Sequence, residues 1–296
     1  MKTSLACIPC FVRQALDSAR MVTEDETVHE RVLREVLRAT GEVDLRCSPP
    51  QMGQWIHRLI RKATGDPDPY LEVKRQFNRL ALELYPQLEA KVIASDDPLA
   101  AAVRLAIAGN IIDFGVTSDL RESHVTDTIA QALEEPLNGD IEALREAIDQ
   151  AERILFLADN AGEIVLDRLL IEQLPREKVT VVVKGSPVIN DATMDDARVA
   201  GLCDRVAVID NGSDAPGTIL SECSEAFARH WEAADLVLAK GQGNYETLSE
   251  VDKNIFFLLK AKCPVIAEDL GCTVGSLVAR RADEAPAEEE DRYARA

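Results

Sequence analysis

Three short segments of this sequence concentrate the residue types used in metal and phosphate chemistry. They are residues 159–163, 184–193 and 240–244, and each directly follows a short apolar run. In open α/β sheets, ligands bind beyond the carboxyl ends of the strands. We therefore expect the three segments to converge on one crevice.

Two of these segments offer oxygen ligands for a divalent metal ion. Asp159 supplies a carboxylate, Asn160 an amide oxygen and Asp191 a second carboxylate. Such ligands suit Mg²⁺ or Mn²⁺, which also accept water and substrate phosphate. Asp159 and Asn160 could equally cap a helix that begins near Gly162. The lysines of the other segments favour the ligand interpretation, because helix capping does not account for them.

Lys184 and Lys240 each stand at the end of an apolar run, beside a glycine. A lysine ammonium pairs with phosphate, and the glycine lets backbone N–H groups approach the same anion. A single lysine at a sheet edge is more often simply solvated, but two in equivalent positions favour phosphate binding. The predicted substrate-binding residues of this part of the chain are Lys184, Lys240, Gly241, Gln242, Gly243, Asn244 and, as a weaker candidate, Lys260.

Cys7 and Cys10 have the spacing of one half of a structural zinc site, and no second pair with this spacing follows. Buried or merely reduced cysteines are the commoner interpretation of such a pair. A second metal site or a structural site at Cys7 and Cys10 stays open at this point. Its further ligands could be Cys47, His57 or Asp113, if the fold brings them near.

The first half of the chain must supply helices that support these segments. Apolar residues recur at three and four positions from residue 11 to about residue 150, which predicts five or six helices. The clearest apolar helix, at residues 98–112, ends in a polar pair between glycines. Asn110 and Asp113 are therefore predicted to line the crevice as substrate contacts.

After residue 149 the pattern changes to short apolar runs that are typical of buried parallel strands. The predicted strands are residues 154–158, 179–183, 206–209, 236–239 and 264–267, and the predicted helices between them are residues 164–174, 195–201, 219–233 and 254–261. This alternation predicts an α/β fold with a doubly wound, mostly parallel sheet and an N-terminal all-helical domain. The expected parts are a helical domain at 1–150, an α/β catalytic domain at 151–281 and a disordered acidic tail at 282–296.

Composition limits the partners of this chain. The 296 residues carry a formal net charge of -19, which repels nucleic acid and anionic membrane surfaces. No apolar stretch approaches the roughly 18 residues that span a bilayer, and no signal peptide is recognisable, so we expect a cytoplasmic protein. Seven scattered cysteines are expected to be reduced. A phosphorylated metabolite requires that local lysines and a metal reverse the acidic field inside one cleft.

The sequence resembles the metal-dependent damage-control phosphatases, the family that includes the protein first described as an acidic-residue methyltransferase. The resemblance covers nearly the whole chain and rests on residues 159–163, on residues 184–193 and on residues 240–245. The Cys7 and Cys10 pair looks like the mark of the stand-alone archaeal and bacterial branch.

This resemblance implies a divalent metal, Mn²⁺, Mg²⁺, Co²⁺ or Ni²⁺, held by the residues that match Asp159, Asn160 and Asp191. It implies substrate contacts from Glu163, from residues 240–244 and from Lys260. Family members are thought to act on sugar phosphates or on damaged forms of phosphorylated cofactors. The eukaryotic branch has an Arg-Thr pair before its lysine, where this chain has residues 257–259, Phe-Leu-Leu, and that departure leaves the substrate type open.

In the expected reaction, a metal-bound phosphoryl group is attacked in line by water. Glu163 or a spare carboxylate oxygen would accept the proton, and the lysines and glycine N–H groups would hold the other phosphoryl oxygens. Asp159 as a covalent nucleophile is an alternative that the residues leave open. Two other function classes also remain: an S-adenosylmethionine-dependent carboxyl methyltransferase and a non-catalytic metal- or metabolite-binding protein. The sequence does not indicate an oligomeric state.

Overall fold

A computed structural model of the chain describes residues 1–109 and 133–282. Asn110 and Asp113, predicted as substrate contacts, lie outside the described residues, as does nearly all of the predicted tail. Five helices open the described part of the chain: α1 (Cys7–Val22), α2 (Glu26–Gly41), α3 (Pro49–Thr64), α4 (Leu71–Ile93) and α5 (Pro98–Ala108). The helical character predicted for the first half is present in these residues.

Helices α1, α2 and α3 bury an apolar cluster of their own, which includes Phe11, Val36 and Ile60. Helices α4 and α5 instead bury their apolar faces against the sheet, where Phe77 and Leu105 share one core cluster with strand residues. The polar residues on the buried face of α4 therefore face the α/β part of the protein.

Within the described residues, the sheet contains seven strands in the order β1-β7-β6-β5-β2-β3-β4. Their bounds are β1 (Leu137–Asn138), β2 (Ile154–Leu157), β3 (Val179–Val183), β4 (Ala207–Asp210), β5 (Leu236–Lys240), β6 (Ile255–Lys260) and β7 (Leu277–Arg281). Strands β2 to β6 are parallel to one another, whereas β7 pairs with β6 in the antiparallel sense and β1 pairs with β7 in the parallel sense. The predicted mostly parallel α/β sheet is confirmed.

Helices cover both faces of this sheet. The later helices are α6 (Ile141–Gln150), α7 (Glu163–Ile171), α8 (Met194–Val199), α9 (Glu225–Ala233), α10 (Gln242–Leu248) and α11 (Pro264–Asp269). Ile154 and Phe156 of β2 face the core shared with α4, α5 and α7, while Leu155 and Leu157 face the core shared with α9 and α10. Because both faces are covered, the central strands are apolar throughout.

Two predicted elements near the C-terminus were exchanged. Residues 254–261, predicted as a helix, form strand β6, and residues 264–267, predicted as a strand, belong to helix α11. Ile255 to Leu259 are all buried, so this run shows no helical period and its aromatic content suits a strand. Pro264 fits the first turn of α11, where its missing N–H has no helical partner to lose. Lys260 therefore ends a strand and does not lie on a helix.

Smaller differences concern the strands at one edge and one helix. Strands β1 and β7 were not predicted, and β1 belongs to the part of the chain that was predicted to be all-helical. The predicted helix at 219–233 is instead a short 3-10 turn at Leu220–Glu222 followed by α9. Ser224 caps α9, because its side chain accepts a hydrogen bond from the Phe227 N–H. Within the described ranges, no helix is both long enough and apolar enough to cross a membrane.

Candidate metal and phosphate site

The loops that follow β2 and β3 are joined by main-chain hydrogen bonds. The N–H of Ala192 donates to the carbonyl oxygen of Asp159, and the N–H of Ala161 donates to that of Asn190, each at 2.8 Å. Asn160 and Asp191 form an antiparallel bridge between the same two loops. The structure therefore brings the three predicted metal ligands to one place at the carboxyl edge of the sheet.

Asn160 is held in one orientation by its carboxylate neighbours. Its Nδ2 atom donates to Asp159 Oδ2 and to Glu163 Oε2, at 3.0 Å in both cases, and all three side chains are buried. Helix α7 begins after Gly162 with no side-chain cap. The alternative role of Asp159 and Asn160 as helix caps is thus not what the structure shows, and both remain available as ligands.

Lys240 is one of the most buried charged residues in the described chain, with 0% of its surface exposed. Its ammonium donates to Glu163 Oε1 at 2.6 Å, to Asp167 Oδ1 at 2.6 Å and to the carbonyl oxygen of Ala106 in α5 at 2.9 Å. These three bonds use all three hydrogens of the ammonium group. In this conformation Lys240 orients Glu163, and through it Asn160, and offers no hydrogen to a substrate phosphate.

Lys184 lies beside the candidate ligand Asp191. Its ammonium is 3.4 Å from Asp191 Oδ2 and donates to the carbonyl oxygen of Gly217. Both ionic side chains are buried. Lys184 is therefore placed to offset negative charge at Asp191.

Negative charge exceeds positive charge in this buried cluster. Burial, aided by the nearby charge of Glu163, raises the pKa of Asp159 to about 6. Burial also raises the pKa of Asp167 to about 7, although the Lys240 ammonium opposes that shift. The cluster comprises four carboxyl groups and two ammonium groups: Asp159, Glu163, Asp167, Asp191, Lys184 and Lys240.

A divalent cation fits this excess of carboxyl over ammonium groups, because its charge would favour the ionised form of the carboxyl groups around it. The candidate donors are two carboxylates and an amide oxygen, the hard oxygen set that Mg²⁺ and Mn²⁺ accept. In the described part of the chain, no three His, Cys, Asp or Glu side chains are grouped closely enough to hold a metal ion by themselves. Asn160 and waters or substrate oxygens would therefore be needed to complete the coordination.

Gly241 lies directly against the Asp159 carboxylate. Its φ angle is +80°, and a Cβ atom at this position would stand 1.9 Å from Asp159 Oδ2. A side chain is excluded here both by the backbone conformation and by the contact. The glycine in this segment therefore allows the end of β5 to lie close to the Asp159 carboxylate.

The other predicted residues of this segment make mostly structural contacts. Asn244 is buried, donates to the Lys240 carbonyl oxygen at 2.7 Å and accepts from the Thr218 hydroxyl at 2.7 Å. Gln242 donates to Glu246 Oε1 at 2.9 Å, and the backbone of Gly243 packs closely on Gly217. Residues 242–244 thus support the loop that contains Gly217, whose carbonyl oxygen accepts the hydrogen bond from Lys184. Lys260 stands half-buried at the carboxyl end of β6, on the same edge of the sheet.

Cys7 and Cys10 lie in the first turns of α1, where Cys7 is half-buried and Cys10 is exposed. Burial raises the pKa of both thiols, and the neighbouring Cys263 raises them further. All seven cysteines belong to the described residues and none forms a disulfide bond. Neither Cys47 nor His57 joins the pair in a metal-binding group.

One buried residue of α4 was missed by sequence reasoning. Asn78 accepts a hydrogen bond from the Gly162 N–H at 2.7 Å and donates to Asp196 Oδ1 at 2.8 Å. Its signal was available, because Lys74 and Asn78 fall four residues apart on the apolar stripe of α4 that also contains Phe77. Polar residues within such a stripe indicate buried partners.

A second missed group joins α3 to the loop after β4. Asp214 accepts hydrogen bonds from Gln54 at 2.9 Å, from Arg58 and from Arg61, and Arg61 also donates to the Pro187 carbonyl oxygen at 2.7 Å. Helix α3 therefore contacts both the loop after β3 and the loop after β4. No local motif in the sequence signals this long-range contact.

Comparison with known proteins agrees with this architecture. The damage-control phosphatase ARMT1-like domain matches residues 3–278. A damage-control phosphatase of Archaeoglobus fulgidus is 38% identical, with 95% of this chain and 99% of that protein covered. The damage-control phosphatase PH1575 of Pyrococcus horikoshii is 36% identical, with 95% and 98% covered.

The crystal structure of the DUF89 family protein PH1575 from Pyrococcus horikoshii is also similar in three dimensions. It superposes with a TM-score of 0.85 at 33% identity and covers 95% of this chain and 99% of its own. Sequence and fold therefore agree over almost the entire length, and the chain belongs to the damage-control phosphatase ARMT1-like domain family.

Proposed function

We propose that this protein is a phosphatase that uses a divalent metal ion, Mn²⁺, Mg²⁺, Co²⁺ or Ni²⁺, to hydrolyse small phosphorylated metabolites. Sugar phosphates and damaged forms of phosphorylated cofactors are the proposed substrate classes. The proposal rests chiefly on one observation: Asp159, Asn160 and Asp191 meet in a buried cluster with excess negative charge. Membership of a phosphatase family supports the same chemistry.

In this proposal Asp159, Asn160 and Asp191 hold the metal ion, which would polarise a phosphoryl oxygen and lower the pKa of a bound water. Lys184 would neutralise charge on the phosphoryl group from beside Asp191. Glu163 would orient Asn160 through its Oε2 atom, and Glu163 or a spare oxygen of the ligand carboxylates would accept the proton of the attacking water. Lys260 would contact the remainder of the substrate from the end of β6.

The test is release of phosphate from a panel of sugar phosphates and cofactor phosphates by metal-stripped protein. Mn²⁺, Mg²⁺, Co²⁺ and Ni²⁺ would be restored singly, and Asp159→Asn and Asp191→Asn would be compared with the exposed Asp204→Asn as a matched control. We expect turnover that depends on the metal and falls at least about 100-fold in the first two variants but not in the third.

Absence of release with every metal would refute the phosphatase proposal and return attention to methyl transfer or to simple binding. Equal activity of Asp191→Asn and the wild type would refute the assignment of Asp191 as a ligand. If one substrate class is hydrolysed clearly faster than the others, that result would identify the type of leaving group that the enzyme prefers.

A further inference from the structure

The two loops that carry the candidate metal ligands are connected not only to each other but also through a third element. Asn78 lies in α4, 84 residues before Gly162 and 118 before Asp196, and it bonds to both. Only 3% of Asn78 is exposed. A side chain in the helical part of the protein thus bridges the start of α7 and the start of α8.

Asp196 continues the connection into the loop that contains Asp191. Its Oδ2 atom accepts from both the N–H and the hydroxyl of Thr193, at 2.8 and 2.7 Å. This capping arrangement fixes the entry to α8 only two residues after the candidate ligand. Movement of Asp196 would therefore move the chain on which Asp191 lies.

Gly162 continues the connection into the other loop. Gly162 lies between Asn160 and Glu163 in the chain. Its φ angle is +76°, and a Cβ atom at this position would stand 2.8 Å from Phe77 Cβ of α4, so no side chain fits here. The amide oxygen of Asn78 thus satisfies a buried donor that the first turn of α7 does not satisfy. The position of Asn160 depends on this contact as well as on Glu163.

We propose that Asn78 is a positioning residue that sets the separation of Asp159 and Asn160 from Asp191, and that its pairing with Asp196 is needed for divalent-metal binding. This inference rests on the proposed metal site. Lys74 supports it, because its buried ammonium lies 2.6 Å from Asp68 Oδ2 and 3.8 Å from Asp196 Oδ2 and so holds a positive charge beside the Asp196 carboxylate.

The chemistry of the pair allows a reciprocal exchange. Asn78→Asp keeps an acceptor for Gly162 but sets a carboxylate against Asp196, and Asp196→Asn leaves two amides that cannot satisfy Thr193 and position 78 together. In the double variant, the new amide at position 196 can donate to the new carboxylate and still accept from Thr193. The donor and acceptor pattern is then restored with the two residue types exchanged.

The experiment is calorimetric titration of Mn²⁺ into metal-stripped, full-length wild type and variants, with folding checked by circular dichroism. We expect each single substitution to weaken Mn²⁺ binding about 10- to 100-fold, as changes to groups that orient metal ligands do. The double variant should bind within about threefold of the wild type. Leu88→Ala, a core substitution on the same helix, should lower thermal stability but leave the affinity unchanged.

Wild-type affinity in a folded Asn78→Asp or Asp196→Asn variant would overturn the inference. So would an equal loss of affinity in Leu88→Ala, or a folded double variant that stays as weak as the single ones. If the wild type binds Mn²⁺ but releases no phosphate, the proposed function is refuted. The titration of the variants would still decide whether Asn78 positions the metal ligands. Wild type that binds no divalent cation would refute both.

Discussion

The Lys240 ammonium donates a 2.6 Å hydrogen bond to Glu163 Oε1, and neither side chain has appreciable contact with solvent. Glu163 and Asp167 raise the pKa of Lys240 strongly and outweigh the effect of burial, which favours the neutral amine. Lys240 therefore keeps its positive charge inside the protein. Its place between α5, α7 and β5 makes it part of both the core and the site.

Lys240→Met should destabilise the protein substantially, because it leaves the carboxylates of Glu163 and Asp167 buried without their counter-charge. Loss of one partner of a buried ion pair typically costs about 3–5 kcal/mol. Denaturant unfolding of the metal-stripped protein measures this change. Combination with Asp167→Asn should recover part of the loss, and the exposed Lys62→Met should stay within about 0.5 kcal/mol of wild type. An unchanged unfolding free energy for Lys240→Met would contradict the structure.

Asp167 should give the metal-stripped protein an unusual dependence of stability on pH. Burial raises the pKa of its carboxyl from 3.8 to about 7, so between these values the folded chain binds a proton that the unfolded chain lacks. Stability should therefore increase as the pH falls from about 7 to about 4. Denaturant unfolding at pH 7 and pH 5 should show a smaller increase in Asp167→Asn, and identical pH dependence in both proteins would argue against this assignment.

The contact between α3 and the loop after β4 should titrate in the opposite sense. Burial opposes ionisation of Asp214, but hydrogen bonds from Arg58, Gln54 and Arg61 outweigh it and lower the pKa to about 2. The contribution to stability is thus complete above about pH 4 and is lost as the pH falls through about 2. At pH 7, Asp214→Asn should lower the unfolding free energy by about 2 kcal/mol, the order expected for hydrogen bonds to a charged group.

Asp195→Asn is the matched control, because Asp195 pairs with Arg198 on the surface, where both side chains are largely exposed. A surface ion pair of this kind contributes between 0 and about 1 kcal/mol. Equal effects of the Asp214 and Asp195 substitutions would mean that the contact between α3 and the loop adds nothing beyond a surface ion pair.

Gly241→Ala should weaken metal binding in the folded protein and also lower the unfolding free energy, because alanine is strained at this φ angle. The added methyl group would collide with Asp159 Oδ2, and the positive φ angle adds strain. We expect at least about a tenfold loss of Mn²⁺ affinity by titration, in line with displacement of a metal ligand. Gly41→Ala, at the end of α2 with nothing within 4 Å of the new atom, should bind Mn²⁺ like the wild type. A Gly241→Ala protein with normal affinity would show that Asp159 is not a ligand.

The sequence was sufficient to predict the α/β sheet and the convergence of three loops, because both follow from local patterns. Short apolar runs identified β2, β3, β4 and β5, and parallel strands necessarily place their carboxyl ends together. The exchange of β6 and α11 arose where periodicity is absent: residues 255–259 are all buried, so this run has no polar face to reveal its period.

The partners of individual side chains were beyond the sequence, because they are contributed by distant parts of the chain. Lys240 was predicted to meet phosphate, yet its ammonium contacts Ala106, 134 residues earlier. Asp214 carries no motif, and the position of Asn78 on an apolar stripe indicates burial but not its partners. Each acquires those partners only when helices of the first half pack on the α/β part of the chain. The residue types at the strand ends predicted where charged side chains lie. They did not predict which of these side chains form ion pairs with one another.

The same long-range contacts have a consequence for synthesis of the protein on the ribosome. The carbonyl oxygen of Ala106 and the amide of Asn78 emerge well before Lys240 and Asp196, which are their partners. Helices α4 and α5 therefore keep their apolar faces uncovered until β2 and α7 have been translated, because these later elements supply much of the core on which they pack. During that interval the nascent first half exposes an apolar surface, the condition in which a chain is prone to aggregate.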